Sequence, residues 1–200
     1  MAHIALILGG VRSGKSGFAQ DLAQKMSGDD VLFVATAEAG DAEMSRRIQI
    51  HRTSRPAAWS TLEVAQNVGA SLQRYQQSGP QHRTVLIDCL TLLVSNVLLS
   101  CEEQADPAIA EQRVAVEIQG LLAACLHWQG TVIIVSGEVG LGVVPESALG
   151  RQYRDLLGWA NQAVAARSNA TYLLVAGLPI ELKSLANSVE QAASKLKMLR

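Results

Sequence analysis

Aromatic side chains make up only 4% of this 200-residue chain, so the stacking platforms that hold single-stranded nucleic acid would be scarce. Nor does one sign of charge prevail. Seventeen Lys and Arg face 18 Asp and Glu, a formal net charge of -1. That balance leaves no overall electrostatic footprint for nucleic acid or an anionic membrane. Apolar runs are short, none approaching the roughly 20 residues of a membrane-spanning helix, and the first residues lack the basic region of a secretory signal. Only three cysteines occur, Cys89, Cys101 and Cys125, widely spaced and without a C-x-x-C pair. Their number and spacing argue against a metal knot or a disulfide framework. They read as reduced thiols in or beside the core, and the expected location is the cytoplasm.

What is present suffices for one soluble domain. Hydrophobic residues are 48% of the chain, enough to bury a real core at this length. Near the amino terminus stands Gly9-Gly10-Val11-Arg12-Ser13-Gly14-Lys15-Ser16, a full match to the phosphate-binding P-loop pattern G-x-x-x-x-G-K-[ST]. The apolar run Ile4–Leu8 before it reads as a buried strand, and the stretch after Ser16 reads as an amphipathic helix. That context gives the pattern its meaning. The glycines let successive N–H groups turn inward toward phosphate oxygens, and the helix amino terminus adds a favourable dipole. Lys15 would reach the β- and γ-phosphates, and the Ser16 hydroxyl would ligate Mg2+. A glycine-rich turn with an exposed lysine is the bland alternative.

Further apolar runs follow at 31–35, 84–88, 131–135 and 172–176, with a possible short strand at 59–63. Continuous rather than alternating hydrophobicity suits strands buried on both faces of a parallel sheet. Segments of helical period lie between them, roughly 17–27, 41–54, 64–77, 107–127 and 147–167. The alternation predicts a layered α/β fold with right-handed crossovers. From Leu182 onward the chain reads as a polar helical tail. No linker or repeat marks a domain boundary.

In open parallel sheets, ligands collect beyond the carboxyl ends of the strands, so the residues just after each run are informative. Asp88 ends the run at 84–88, where a second magnesium anchor is expected; a strand-end cap is its structural alternative. Thr91 reads as a helix N-cap. Glu138 follows the fourth run and could orient a ribose, a metal-bound water or an attacking hydroxyl. A loop ion pair or N-cap is equally open to it. Arg151 and Arg154 are candidate phosphate contacts or surface residues.

The segment from Asp41 to Pro56 reads as a helix ending near Arg55, because Pro56 disfavours helical geometry in the residue before it. Met44, Ile48, His51 and Arg55 fall near one stripe, with Arg47 four residues ahead of His51. Two readings stay open. His51 is either a packed histidine or a nucleophile, for which a neutral imidazole lone pair is suited near pH 7. Arg46, Arg47, Arg52 and Arg55 are either phosphate forks or a solvated face.

The chain resembles the bifunctional adenosylcobinamide kinase / adenosylcobinamide-phosphate guanylyltransferase family of cobalamin biosynthesis. The similarity runs from about Ile4 to Lys183. It rests on the P-loop, on Glu-Met-Ser-Arg-Arg-Ile-Gln-Ile-His-Arg at 43–52 and on Arg-Pro-Ala-Ala-Trp at 55–59. Asp-Cys-Leu-Thr at 88–91, the stretch 138–146, Tyr-Arg-Asp-Leu-Leu-Gly at 153–158 and Asn161-Gln162 complete it. The resemblance implies a single P-loop, RecA-like domain over 1–183 with a helical tail at 184–200, assembled as a homotrimer. It implies phosphorylation of adenosylcobinamide by ATP or GTP. A guanylylated histidine, here His51, then passes GMP to adenosylcobinamide phosphate. It also implies nucleotide contacts from Gly9 through Ser16, Arg52, Glu63 and Asp88, with Arg47, Arg55, Glu138 and Arg154 as further candidates. Relatives often carry Asn at the position of Gly137, a departure that leaves open any hydrogen bond made from that side chain.

Two other classes compete. A plain small-molecule kinase would use Lys15, Ser16 and Asp88 with a structural His51. A nucleotide-driven switch or DNA motor is opposed by the missing Asn-Lys-x-Asp motif, the balanced charge and the few aromatics.

Overall fold

The strands form one sheet whose centre is built from the apolar runs. The computed structural model describes residues 2–38, 40, 42–53, 55–101 and 106–198; the side chains at 42–44, 47, 50, 51 and 195–198 lie outside that description. In chain order the described strands are β1 (His3–Gly9), β2 (Val31–Ala35), β3 (Ser60–Glu63), β4 (Thr84–Asp88), β5 (Thr131–Gly137), β6 (Ala170–Val175) and β7 (Leu178–Glu181). The helices are α1 (Lys15–Ser27), α2 (Ala42–Thr53), α3 (Val68–Ser78), α4 (Leu90–Leu99), α5 (Pro107–His127), α6 (Ala148–Arg167), α7 (Leu182–Leu185) and α8 (Val189–Met198).

Strand order is β3-β2-β4-β5-β1-β6-β7, parallel except for the antiparallel β6–β7 pair. Successive side chains in a strand point to opposite faces, and both faces are apolar. Leu6, Leu32, Val85, Ile87 and Ile134 join the larger core with α3, α4, α5 and α6. Ile7, Phe33, Leu86, Ile133 and Val135 join a smaller core with Ala19 and Ala23 of α1. Such double-sided burial is why these strands read as unbroken apolar runs. Together with the P-loop between β1 and α1, the sheet gives the RecA-like α/β architecture that the resemblance implied.

Register aligns the functional edge. Ala35 lies opposite both Glu63 and Asp88, Asp88 opposite Val135, and Gly9 opposite both Gly137 and Leu174. The carboxyl ends of β1 to β5 therefore finish in one row. Trp59, 6% exposed, fastens this edge's outer strand to α1: its indole N–H lies 3.1 Å from Gln24 Oε1 and 3.0 Å from the Gly28 carbonyl.

Several boundaries differ from expectation. The helix α2 stops at Thr53, so Arg55 stands outside it and does not extend the stripe of Met44, Ile48 and His51. Leu90–Leu99 is a helix that periodicity did not announce, since its residues are mostly apolar. β7 turns back as an antiparallel edge strand. Its two-residue turn, Ala176 (φ 53) and Gly177 (φ 82), has the left-handed pair of a type I′ hairpin. The expected tail is two separate helices, α7 and α8.

Candidate active site

The phosphate loop is shaped by close backbone approaches. Gly14 adopts φ +93, and a Cβ there would stand 3.3 Å from Gly177 Cα, so both strain and space call for glycine. The Gly177 N–H donates to the Ser13 carbonyl at 3.0 Å, so the β6–β7 turn buttresses the loop from behind. Lys15 opens α1 and Ser16 is its second residue, with Gly14 at the N-cap making no side-chain cap. The first N–H groups of α1 thus remain available to an anion. Lys15 Nζ donates to the Gly10 carbonyl at 3.1 Å. Ser13 Oγ is buried and has no hydrogen-bond partner among the described residues.

A cleft of about 650 Å³ opens over this loop. Gly9, Val11, Arg12, Ser13, Gly14, Lys15 and Ser16 line it, joined by Arg52, Arg55, Glu63, Asp88, Thr91 and Glu138. Ile48 of α2 lines it as well. Residue 51 falls between Ile48 and Arg52 on that helix; the His51 and Arg47 side chains lie outside the described residues. Arg154 is not among the lining residues and pairs with Asp155 at 3.3 Å. Arg151 donates to the Pro145 and Glu146 carbonyls at 3.0 and 2.6 Å, holding the loop after β5 instead of facing the cleft.

The charged groups balance one another. Arg52 forms an ion pair and hydrogen bond with Glu63 across eleven residues of sequence. The Arg55 guanidinium lies over the Phe33 ring at 3.7 Å from its centroid, a cation–π contact at the cleft wall. Burial lowers the Arg55 pKa below the ordinary arginine value; Asp88 and Glu63 oppose that shift, while Arg52 adds to it. The Cys89 thiol next to Asp88 is pushed up to about 11, first by burial and then by the Asp88 carboxylate, so it stays protonated at neutral pH. Glu138 Oε1 accepts from the Gly140 N–H at 2.6 Å, shaping the loop that follows β5.

The donor set suits magnesium. Ser16 and Asp88 supply hard oxygens to one cleft. Among the described residues no group of three His, Cys, Asp or Glu converges on a metal site. Magnesium is commonly held this way, by one or two protein oxygens together with substrate phosphates.

The geometry accords with a family match. Residues 5–182 match the family model described as cobinamide kinase / cobinamide phosphate guanyltransferase. The chain belongs to that family. A relative in it, the bifunctional adenosylcobalamin biosynthesis protein CobP of Pseudomonas aeruginosa, is 48% identical over 178 residues, covering 89% of this chain and 96% of its own. The bifunctional adenosylcobalamin biosynthesis protein CobU of Escherichia coli is 39% identical over 183 residues, covering 89% and 98%. Among solved structures, the ATPase domain of G40P aligns with 86% of this chain and 68% of its own, at 17% identity and a TM-score of 0.49.

Some contributors at the cleft carried no sequence signal. Thr36, fully buried, accepts from the Cys89 N–H at 2.8 Å and donates to the Cys89 carbonyl at 2.7 Å, fixing the chain directly after Asp88. Asn96 donates to the Thr36 and Ala65 carbonyls at 2.8 and 3.0 Å, tying α4 to the ends of β2 and β3. Thr91 is not an N-cap: Cys89 holds that position, and the Thr91 hydroxyl accepts from the Gly137 N–H instead. No residue-spacing rule marks these partners, because each reaches an element distant in sequence. No described helix is long and apolar enough to cross a membrane.

Proposed function

We propose that this enzyme transfers a phosphoryl group from ATP or GTP to adenosylcobinamide, and then GMP from GTP to adenosylcobinamide phosphate through a guanylylated His51. One observation carries the reading. The phosphate loop lines the same cleft as Ile48 and Arg52 of α2, and His51 stands three residues after Ile48 on that helix. Residues three and four apart on a helix share a face, which supports a place for His51 beside bound triphosphate.

In the first reaction the acceptor hydroxyl oxygen bonds to the γ-phosphorus and the bond to the β–γ bridging oxygen breaks, releasing the nucleoside diphosphate. Lys15 and the amides from Gly9 to Ser16 hold the β- and γ-phosphates in line, which is most of what phosphoryl transfer requires. Ser16 and Asp88 would hold Mg2+, which when bound would offset the charge of the phosphates. Glu138, which lines the cleft, would orient the attacking hydroxyl and take its proton.

In the second reaction an imidazole nitrogen of His51 bonds to the α-phosphorus and pyrophosphate departs. An oxygen of the acceptor's phosphate then attacks that phosphorus, the P–N bond breaks, and the histidine is restored. Arg52 and Arg55, with Arg47 on the same helix segment, would offset charge on the α-phosphate, and Glu63 holds Arg52 in its fork. We assign both reactions to residues 1–183, with 184–200 as a helical tail, and read the enzyme as a cytoplasmic homotrimer. Light scattering on the purified chain checks the assembly.

Incubation with GTP labelled at the α-phosphate tests the covalent step. One added GMP, found by mass spectrometry on the peptide containing His51, is the expected result. His51→Ala should abolish that label and the second transfer while leaving cobinamide phosphorylation within about twofold of the parent. Kinase activity with no label on the parent would leave a plain P-loop kinase.

A further inference from the structure

Where β5 ends, the Gly137 peptide is held on both sides by side chains from two different helices. Its N–H donates to Thr91 Oγ1 of α4 at 2.6 Å, and its carbonyl accepts from Asn161 Nδ2 of α6 at 3.0 Å. Asn161 is only 6% exposed, and its Oδ1 accepts from the fully buried Ser136 hydroxyl at 2.6 Å. Every polar group in this chain of contacts is therefore paired, as buried polar groups require. The packing is close as well: a Cβ at Gly137 would stand 3.0 Å from Thr91 Oγ1.

The clamp stands close in sequence to two of the three acidic residues that line the cleft, Asp88 and Glu138. Thr91 lies in the first turn of α4, three residues after Asp88 and two after the Cys89 N-cap. Glu138 directly follows the clamped peptide, and its N–H donates to the carbonyl of Gly9 at 3.0 Å, at the mouth of the phosphate loop. The Tyr153 hydroxyl of α6 adds a second tie between the same helices, donating to the Thr91 carbonyl at 3.3 Å. Asp88 sits on β4 and Gly9 on β1, with β5 between them. The end of β5 is thus the spacer between the two sides of the site.

We infer that Thr91 and Asn161 are positioning residues for phosphoryl transfer, clamping the end of β5 so that Glu138 and Asp88 keep a fixed spacing around the phosphate loop. Asn161 does not line the cleft and acts only through Ser136 and Gly137. The inference rests on the kinase reaction proposed above. It adds that alignment in that reaction depends on a strand end pinned from two helices. The chemistry is sensitive to such alignment, because a displacement near 1 Å can cost about 10²-fold in rate.

Thr91→Val removes the hydroxyl at nearly constant shape, and Thr91→Ser restores it. Steady-state phosphorylation of cobinamide by ATP, with thermal unfolding recorded for each variant, separates alignment from binding and folding. In Thr91→Val, kcat should fall about tenfold or more while the KM for ATP stays within about twofold, and Thr91→Ser should return kcat to within about twofold of the parent. Asn161→Asp keeps the acceptor for Ser136 and loses the donor to Gly137. Where it folds it should show the same fall in kcat without a matching rise in KM. Parental kcat in Thr91→Val overturns the inference. So does a rise in KM for ATP at constant kcat, or a Thr91→Ser as slow as Thr91→Val. If Asn161→Asp does not fold, the Thr91 pair decides alone. A parent without cobinamide kinase activity would instead sink the functional reading, which distinguishes the two failures.

Discussion

Lys15 folds back over its own loop, its ammonium donating to the Gly10 carbonyl at 3.1 Å. A phosphate oxygen makes a stronger, charge-assisted partner than a neutral carbonyl, so bound triphosphate should draw the side chain away. Both proposed reactions place a triphosphate on this loop. Lys15→Ala should therefore lower kcat/KM for phosphorylation and for self-guanylylation together, each by about 10²-fold or more. Parallel assays of the two activities check this, and loss of only one would separate their binding poses. At this scale the strand–loop–helix setting of the phosphate-loop motif was legible because its residues are consecutive. The place of Asp88, at a strand end that lines the cleft, was legible because it ends an apolar run. The Arg52–Glu63 pair, the Arg55 stack on Phe33 and the Thr91 bond to Gly137 were not readable as contacts. Each joins elements whose adjacency only the folded sheet creates.

Helix α3 shows the same dependence at the scale of an element. It begins after Asn67, which has a left-handed φ of 57 and makes no side-chain cap of its own. The cap comes from α5: the Glu117 carboxylate accepts from the Asn67 N–H at 2.8 Å and the Val68 N–H at 2.9 Å. A carboxylate at a helix amino terminus also meets the positive end of the helix dipole. Glu117→Ala should lower stability by about 1–2 kcal/mol, the range for loss of a good cap, and Glu117→Gln by less. Urea unfolding of the three proteins measures it, and an unchanged midpoint in the alanine variant would leave the cap without energetic weight. The five main strands were legible as unbroken apolar runs, and most helices from hydrophobic period. Helix α4 was not, because a run such as Leu90–Leu99, apolar on nearly every side, shows no polar face. Strand β7 was hidden by Pro179 and by its exposed position at the sheet edge, where it needs no apolar alternation.

The molecule as a whole should weaken on the alkaline side through groups that its core keeps neutral. Burial pushes the Cys125 thiol up to about 12, the Tyr153 hydroxyl to about 12 and the Cys89 thiol to about 11. Each binds its proton more tightly folded than unfolded, so their contribution is intact below the unfolded value and is lost as pH rises toward the folded one. For the two thiols that window runs from about pH 9 to between 11 and 12. A single such group steepens the fall by up to about 1.4 kcal/mol per pH unit within its window. Lysine deprotonation and growing net negative charge act over the same range, so the parent's slope alone does not isolate the thiols. Cys125→Ala does, because it removes one buried thiol, 1% exposed and far from the phosphate loop in the larger core, and leaves the background unchanged. The variant should be less stable than the parent near neutrality, where it has lost packing. Its alkaline limb should be shallower, so the two stability curves converge between about pH 9 and 12. Urea midpoints taken across that range under reducing conditions check the convergence, and parallel curves would show that the Cys125 proton is held no more tightly in the fold than out of it.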